Sequence, residues 1–325
     1  MDKDSFPRRS ITQAFISDIL RQYFTARKPL THKRIAAGIE NETVVVRMGG
    51  AQYVIRIYNR VQFGVLKRTK PNILWELDFM EHLRRGRLPV PKVMPTLTGQ
   101  KLSQVVVGQK AYFVAIFEFM SGRHVRKFNP QQIEAVIKLE AQMHQLSHSF
   151  ASRHVRANTY QFGYEKLMLG DLGRKVAKYP KHKKILAELW GIVNQHYPKL
   201  EKLIQGRRQI AIHNDLNRGN IKFSGHTIAG VFDFDDALMG SPVSELGKTI
   251  FFIVDRELAP KLLMAEIERA IRLYAIEIKL TKKDVEIVKL AFLVSWASRR
   301  FHSFNGRIDE RQKSADCVRF AKIYG

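Results

Sequence analysis

The octapeptide HNDLNRGN, residues 213–220, puts His213, Asn214, Asp215, Asn217 and Asn220 in one loop, flanked by the apolar stretches QIAI and IKF. Asn, Asp and Gly favour turns for conformational reasons alone, so by itself the loop reads as a tight turn. Thirteen residues after Asn220 a second carboxylate, Asp233, follows an apolar run in AGVFDFDDA. A loop carrying Asp215 and Asn220 beside a strand ending in Asp233 makes an oxygen-rich pocket. Hard divalent ions such as Mg2+ prefer those ligands and keep waters and substrate phosphates as the remainder. Three oxygen side chains are too few for a closed cage. They suffice if the metal arrives with a nucleotide.

That set supports phosphoryl transfer to a hydroxyl. The transferred group carries spread negative charge, so the reaction needs metal neutralisation, in-line positioning and a nearby base. Asp215 is expected to be the base, with Asn220 and Asp233 as metal ligands. Order, spacing and strand context agree, which makes the signal more specific than any one of the three residues.

The elements that position these residues fall into two textures. SITQAFISDILRQYF has helical spacing, whereas KRIAAGIE, TVVVRMG and QYVIRIY are short and β-branched, with Gly49-Gly50 as a hairpin turn. PNILWELDFMEHLRRG is predicted as a helix opened by Pro71-Asn72 and closed by Gly86. Pro89, Pro91 and Pro95 form an extended connector, and VVVG turning into AYFVAIFEF is a second hairpin. From about residue 129 the chain is mainly helical, interrupted by a β-rich insertion at 208–235 that carries the loop. The expectation is an α+β, two-lobed molecule. Residues 1–121 form a small antiparallel sheet with one packed helix, and residues 122–325 a larger, mainly helical lobe.

The first lobe is expected to hold a nucleotide. Gly38 in AAGIENETVVV lets backbone approach phosphates. Arg56 lies mid-strand in QYVIRIY, and Glu76 lies on the following helix. An inward Arg56 paired with Glu76 could hold the α- and β-phosphates. Strand alternation, with Arg47 on the neighbouring strand, also allows Arg56 to face outward.

Together GIENETVVV, YVIRIY, LPVPKVMPTLTGQ, FEFMSG, HNDLNRGN and GVFDFDDA resemble the aminoglycoside phosphotransferase and choline kinase superfamily, and within it the homoserine-kinase-type branch. The resemblance covers about residues 34–255. It implies a protein-kinase-like fold with ATP between the lobes, Mg2+ as cofactor, and adenine meeting backbone groups near Glu118 and Met120. Gly38, Glu40 and Asn41 point to the branch. Several positions depart from the common pattern. Asn214, Asn217 and Arg218 replace Gly, His and Pro in the loop, Arg56 replaces a lysine, and Glu245 stands where an aspartate is frequent. Arg218 adds a fork of donors suited to a carboxylate or phosphate on the acceptor. Asp235 is a further candidate for metal or substrate.

Bulk properties narrow the partners. Lys plus Arg total 55 against 30 acidic residues, a net charge of +25. Such a field attracts phosphate-rich partners and repels a polycationic acceptor, favouring an anionic or zwitterionic one. Nucleic acid is compatible with the charge but lacks a binding-face pattern of interleaved aromatics. The longest apolar run, LAFLVSWA, is far short of the roughly 20 residues that cross a bilayer. MDKDSFPRRS lacks the apolar segment of a secretory signal, so a cytoplasmic location is expected. Cys317, the single cysteine, forms no internal disulfide and reads as inert. His144 and His148, four apart, match a zinc-pair spacing without a third ligand, so core or helix-surface roles are expected. His213 is expected to buttress its loop.

Three functions remain distinct at this point: a small-molecule kinase acting on an amino alcohol or a hydroxy amino acid such as homoserine, a serine/threonine protein kinase of the stress-response type, and a degenerate kinase-fold binding protein with a basic surface facing nucleic acid or membrane.

Overall fold

The computed structural model describes residues 6–7, 10–25, 30–35, 41–59, 61–62, 66–156, 161–162 and 168–325. The chain divides into two compact units. One takes residues 1–122 with the later segments 151–158 and 229–232, and the other takes 123–150, 159–228 and 233–325.

The first unit opens with α1 (Gln13–Arg21), whose N-cap Thr12 accepts from the Phe15 amide. Strands β1 (Leu30–Ile35), β2 (Asn41–Met48) and β3 (Ala51–Tyr58) follow. The β2–β3 turn uses Gly49 and Gly50 at φ 57° and 81°, the left-handed region that a two-residue hairpin demands and glycine enters without strain. The short pair β4 (Val61–Gln62) and β5 (Leu66–Lys67) leads to α2 (Lys70–Arg85). Then come β6 (Val93–Met94), β7 (Ser103–Val107) and β8 (Lys110–Glu118). The sheet runs β1-β2-β3-β8, antiparallel throughout, with β6 and β7 both on the far side of β8.

Strand alternation gives this sheet two different faces. Ile55 and Ile57 join Val44, Val46, Val114 and Ile116 in a buried core with Ile16, Ile19 and Leu20 of α1. Each fully buried aliphatic side chain of this kind contributes about 1.5–3 kcal/mol. Arg56, of opposite parity, reaches Glu76 on α2. The apolar stripe of α1 therefore makes it a second packed helix beside the expected one. β1 takes in the start of KRIAAGIE, and residues 36–40 of that stretch, including Gly38 and Glu40, lie outside the described residues.

In the second unit α3 (Pro130–Ser147) starts at a capping box made by Asn129 and Gln132. Helices α4 (Leu172–Lys178) and α5 (Lys183–Ile204) precede β9 (Ile210–Ile212). Next are β10 (Ile221–Ser224), β11 (Thr227–Val231) and β12 (Leu238–Gly240). Helices α6 (Pro242–Ile253), α7 (Pro260–Glu277), α8 (Lys282–Ser303) and α9 (Ile308–Tyr324) complete the chain. β9 pairs antiparallel with β12, with Ile212 opposite Leu238, and Phe223 of β10 bridges to Arg123. The apolar flanks of the loop are thus the strands that anchor it at both ends. α6 lies tightly on α8 because residue 247 is glycine: a Cβ there would collide with the Val288 carbonyl and fall 2.7 Å from Ala291 Cβ. The LAFLVSWA run is buried within α8, and no helix among the described residues is long and apolar enough to cross a membrane.

Candidate active site

The loop is held from below by buried polar groups. His213 is fully buried, with its ring 4.4 Å from that of Phe234, and its Nδ1 accepts from the Asp215 amide at 3.3 Å. This is a buttress. Asn214 adopts φ 65°, a left-handed conformation that Asn tolerates better than most residues. Its amide donates to Glu245 Oε1, and Lys248 Nζ donates to its Oδ1 at 3.2 Å. Glu245 Oε2 meets His144 Nε2 at 2.7 Å, and His144 Nδ1 meets the Tyr274 hydroxyl at 2.7 Å. One buried glutamate of α6 therefore ties the loop to α3 and α7.

His144 and His148 do not share a surface: His144 is buried and His148 is exposed. Glu140, one turn before His144, accepts from the Thr249 hydroxyl at 2.8 Å through Oε1. Burial, and then the Glu245 charge, push its pKa well above the ordinary carboxylate range. Cys317 is buried, and burial raises its thiol pKa, which keeps it unreactive.

Asp215 crowns the loop. Its Oδ2 accepts from Asn217 Nδ2 and Asn220 Nδ2, both at 2.8 Å, and its carbonyl accepts from Asn220 Nδ2 at 2.9 Å. Its Oδ1 is buried without a hydrogen-bond partner, and Arg299 Nη2 stands 3.8 Å away. Asp233 is exposed at φ 62° and opens a single 3-10 turn holding Asp235, which is buried, and Asp236, which is half-buried. Asp236 is pushed up to about 7, first by burial and then by the carboxylates of Asp215, Asp235 and Asp233, against the opposing pull of Lys248. The unanswered Oδ1 of Asp215 is an oxygen of the kind that a hard divalent cation prefers. The structure thus brings Asp215 into contact with Asn220, while Asp215, Asp235 and Asp233 all act on Asp236. Arg218 is exposed, and its Nη1 donates to the Arg126 carbonyl at 2.8 Å.

The first unit carries a cluster of the opposite kind. Arg56 Nη1 lies 3.8 Å from Glu76 Oε1, and Arg156 Nη1 lies 3.8 Å from Glu76 Oε2. The Tyr58 hydroxyl adds a 3.4 Å bond to Oε1. Arg56 faces inward, settling the alternation left open by the sequence. Arg156, also buried, donates to the Asn72 carbonyl at 3.2 Å and lies over the Trp75 ring. Nothing in the aperiodic stretch RHVRANTY singles out Arg156. Asn41 is buried, with Oδ1 accepting from the Asn59 amide at 3.3 Å and Arg68 Nη1 at 2.8 Å. Glu118 ends β8, its amide donating to the Lys92 carbonyl at 2.9 Å, and Met120 follows just beyond. A Cβ at Gly230 would fall 3.1 Å from Met120 Cβ, so glycine is what permits that approach.

Residues 31–276 match the family described as the phosphotransferase enzyme family. The chain belongs to that family. Among curated relatives, it is 25% identical over 227 residues to a homoserine kinase from Zymomonas mobilis subsp. mobilis, covering 69% of this chain and 65% of the relative. It is 26% identical over 204 residues to a homoserine kinase from Rhizobium meliloti, covering 63% and 57%. The matched region therefore spans less than two thirds of these relatives' own length. Solved structures agree in fold over nearly the whole chain. A microcompartment-associated aminopropanol kinase aligns at TM-score 0.71 with 19% identity, covering 96% of this chain and 97% of that one. The amicoumacin kinase hAmiN, solved with AMP-PNP, Ca2+ and its ligand, aligns at TM-score 0.70 with 17% identity, covering 97% and 94%. The chain thus has the protein-kinase-like α+β fold expected from the resemblance.

Proposed function

We propose that this phosphotransferase moves the γ-phosphoryl group of ATP to the hydroxyl of a small molecule, an amino alcohol or a hydroxy amino acid such as homoserine. The observation that carries the reading is the state of Asp215: one carboxylate oxygen clasped by two amides, the other buried with no hydrogen-bond partner. Such a group is oriented and incompletely satisfied, as a base awaiting a hydroxyl proton must be. Asp215 accepts that proton as the hydroxyl oxygen bonds to phosphorus and the bond to the ADP oxygen breaks. Asn220 and Asp233 would hold Mg2+, with Asp235 as a further candidate. The ion supplies neutralisation of the phosphoryl charge when bound with the nucleotide. Arg56, oriented by Glu76, serves the phosphates, and Gly38 and Asn41 belong to the same function. Backbone near Glu118 and Met120 serves the adenine. The curated relatives are named for a small-molecule acceptor, which favours that class over a protein substrate. The +25 charge favours an anionic or zwitterionic acceptor.

The test is transfer of label from γ-labelled ATP with MgCl2 to a panel of hydroxyl metabolites. Label in an O-phosphorylated small molecule, abolished by omitting Mg2+, is the expected result. Label found only in added protein would favour the protein-kinase reading, and no transfer to any acceptor would defeat the proposal.

A further inference from the structure

Asp215 has a neighbour that phosphoryl transfer as outlined does not use. Arg299, near the C-terminal end of α8, brings Nη2 to 3.8 Å from Asp215 Oδ1, and its side chain is 43% exposed. At that distance the contact is an ion pair and not a hydrogen bond. The guanidinium is set by the ring of Phe252, 5.3 Å below it, on the helix α6 that Gly247 seats against α8. The position is therefore built from two packed helices. It does not depend on a loop.

The surroundings are rich in arginine. Arg300, the next residue, acts together with Arg218 on Arg256, which lies over the Phe251 ring at 4.4 Å. Burial, then Arg300 and Arg218, draw Arg256 down to about 10 against the opposing pull of Asp255 and Glu257, so it stays charged at neutral pH. Arg300 Nη1 pairs with Glu310 Oε2 at 3.3 Å, while its Nε is buried without a hydrogen-bond partner. Guanidinium is the side chain that matches a carboxylate or phosphate through paired donors. Arg218, the anion-binding candidate from the sequence, donates through Nη1 to the Arg126 carbonyl.

We propose that Arg299 is the specificity-determining residue of the acceptor site, receiving an anionic group of the molecule whose hydroxyl Asp215 deprotonates. The inference rests on the phosphotransferase reading above. A hydroxyl within about 2.6–3.2 Å of Asp215 and an anion at roughly 2.8 Å from Arg299 can lie at most about 10 Å apart, given the 3.8 Å between the two side chains. A short carbon chain therefore spans both groups. An amino alcohol without an acid group leaves Arg299 without this contact, so hydroxy acids or phosphorylated alcohols of that length are the favoured class.

The test compares kcat and KM for three acceptors of equal length, a hydroxy acid, its primary amide and the matching phosphate-bearing alcohol, in the wild type, Arg299→Gln and Arg299→Lys. The wild type is expected to prefer an anionic acceptor over the amide by about 100-fold in kcat/KM. Which anion leads identifies carboxylate or phosphate as the natural group. Arg299→Gln is expected to bring the preference to within a few-fold of unity, chiefly through KM for the acid, with KM for ATP unmoved. Arg299→Lys is expected to restore part of it. Equal losses on acid and amide in Arg299→Gln would assign Arg299 to positioning Asp215 and overturn the proposal, as would a wild-type preference for the amide. A wild type that phosphorylates neutral alcohols best defeats this inference and leaves the phosphotransferase reading standing, whereas one that phosphorylates no hydroxyl defeats both. Melting temperatures of the variants are read alongside. If Arg299→Gln is unfolded, the decision passes to Arg299→Lys, which must then show an intermediate preference.

Discussion

Around Asp215, carboxylates crowd together: the amides of Asn217 and Asn220 donate to Asp215 itself, and the buried Glu245 accepts from the Asn214 amide beneath it. Around Glu76 the arrangement is reversed, with one carboxylate lying against the two guanidiniums of Arg56 and Arg156. The first region gathers several carboxylates, with Lys248 and Arg299 as its own cations. The second carries its own cations on a sheet and a returning segment. Burying a charge is costly unless it is paired or coordinated. The two regions meet that requirement differently: Glu76 lies against two guanidiniums, whereas Asp215 takes amide hydrogen bonds on one oxygen and has the half-exposed Arg299 3.8 Å from the other.

If that contrast holds, substitutions in the two regions should differ in kind. The largest effect is expected from Asp215→Asn, with kcat falling by about 1,000-fold or more while the fold persists. Removing one of several mutually repelling carboxylates should leave the melting temperature equal or higher. A fall of many degrees in a thermal melt would show instead that Asp215 is structural. Arg56→Gln should act on binding, raising KM for ATP by roughly 10- to 100-fold with a smaller change in kcat. It should also cost about 1–3 kcal/mol of stability, because Glu76 loses a charged partner in a buried setting. Initial-rate kinetics and urea unfolding of the same preparation measure both. A change confined to kcat would assign Arg56 to the chemical step.

The smallest effect concerns a carboxylate outside both regions. Glu140 has its folded-state pKa raised, so above its ordinary value near 4.5 the folded state retains a proton that the unfolded chain has shed. Stability should therefore fall as pH rises from about that value through the raised one. Glu140→Gln should flatten that slope while keeping the bond from Thr249. Melting curves from pH 5 to pH 8 read the difference, and an unchanged slope would mean that another group sets it.

The two regions also differed in how far they could be read without coordinates. His213, Asp215, Asn220 and Asp233 are close in sequence, with apolar strands on both sides, so residue type and spacing alone brought them together. Arg56 and Glu76 are 20 residues apart on different elements, and strand alternation left the direction of Arg56 open. Only the burial of Ile55 and Ile57 against α1, which turns Arg56 to the opposite face, decides it. Arg156 and Arg299 were invisible because the first sits in an aperiodic stretch and the second follows an apolar helical run as an ordinary helix-end cation. Glu245 was noticed as a departure from the common aspartate, but its bond to the Asn214 amide depends on the close seat of α6 and α8. Hydrophobic periodicity gives elements and faces; it does not give which buried polar groups meet across them.

The claim on which the account depends is that Asn220 and Asp233 serve one divalent ion together with the nucleotide. Mn2+ binding followed by electron paramagnetic resonance, with ATP present, in the wild type, Asn220→Ala and Asp233→Asn tests it most directly. The account predicts one nucleotide-dependent Mn2+ site in the wild type, weakened at least 10-fold in each variant. Wild-type affinity retained in both variants would contradict it.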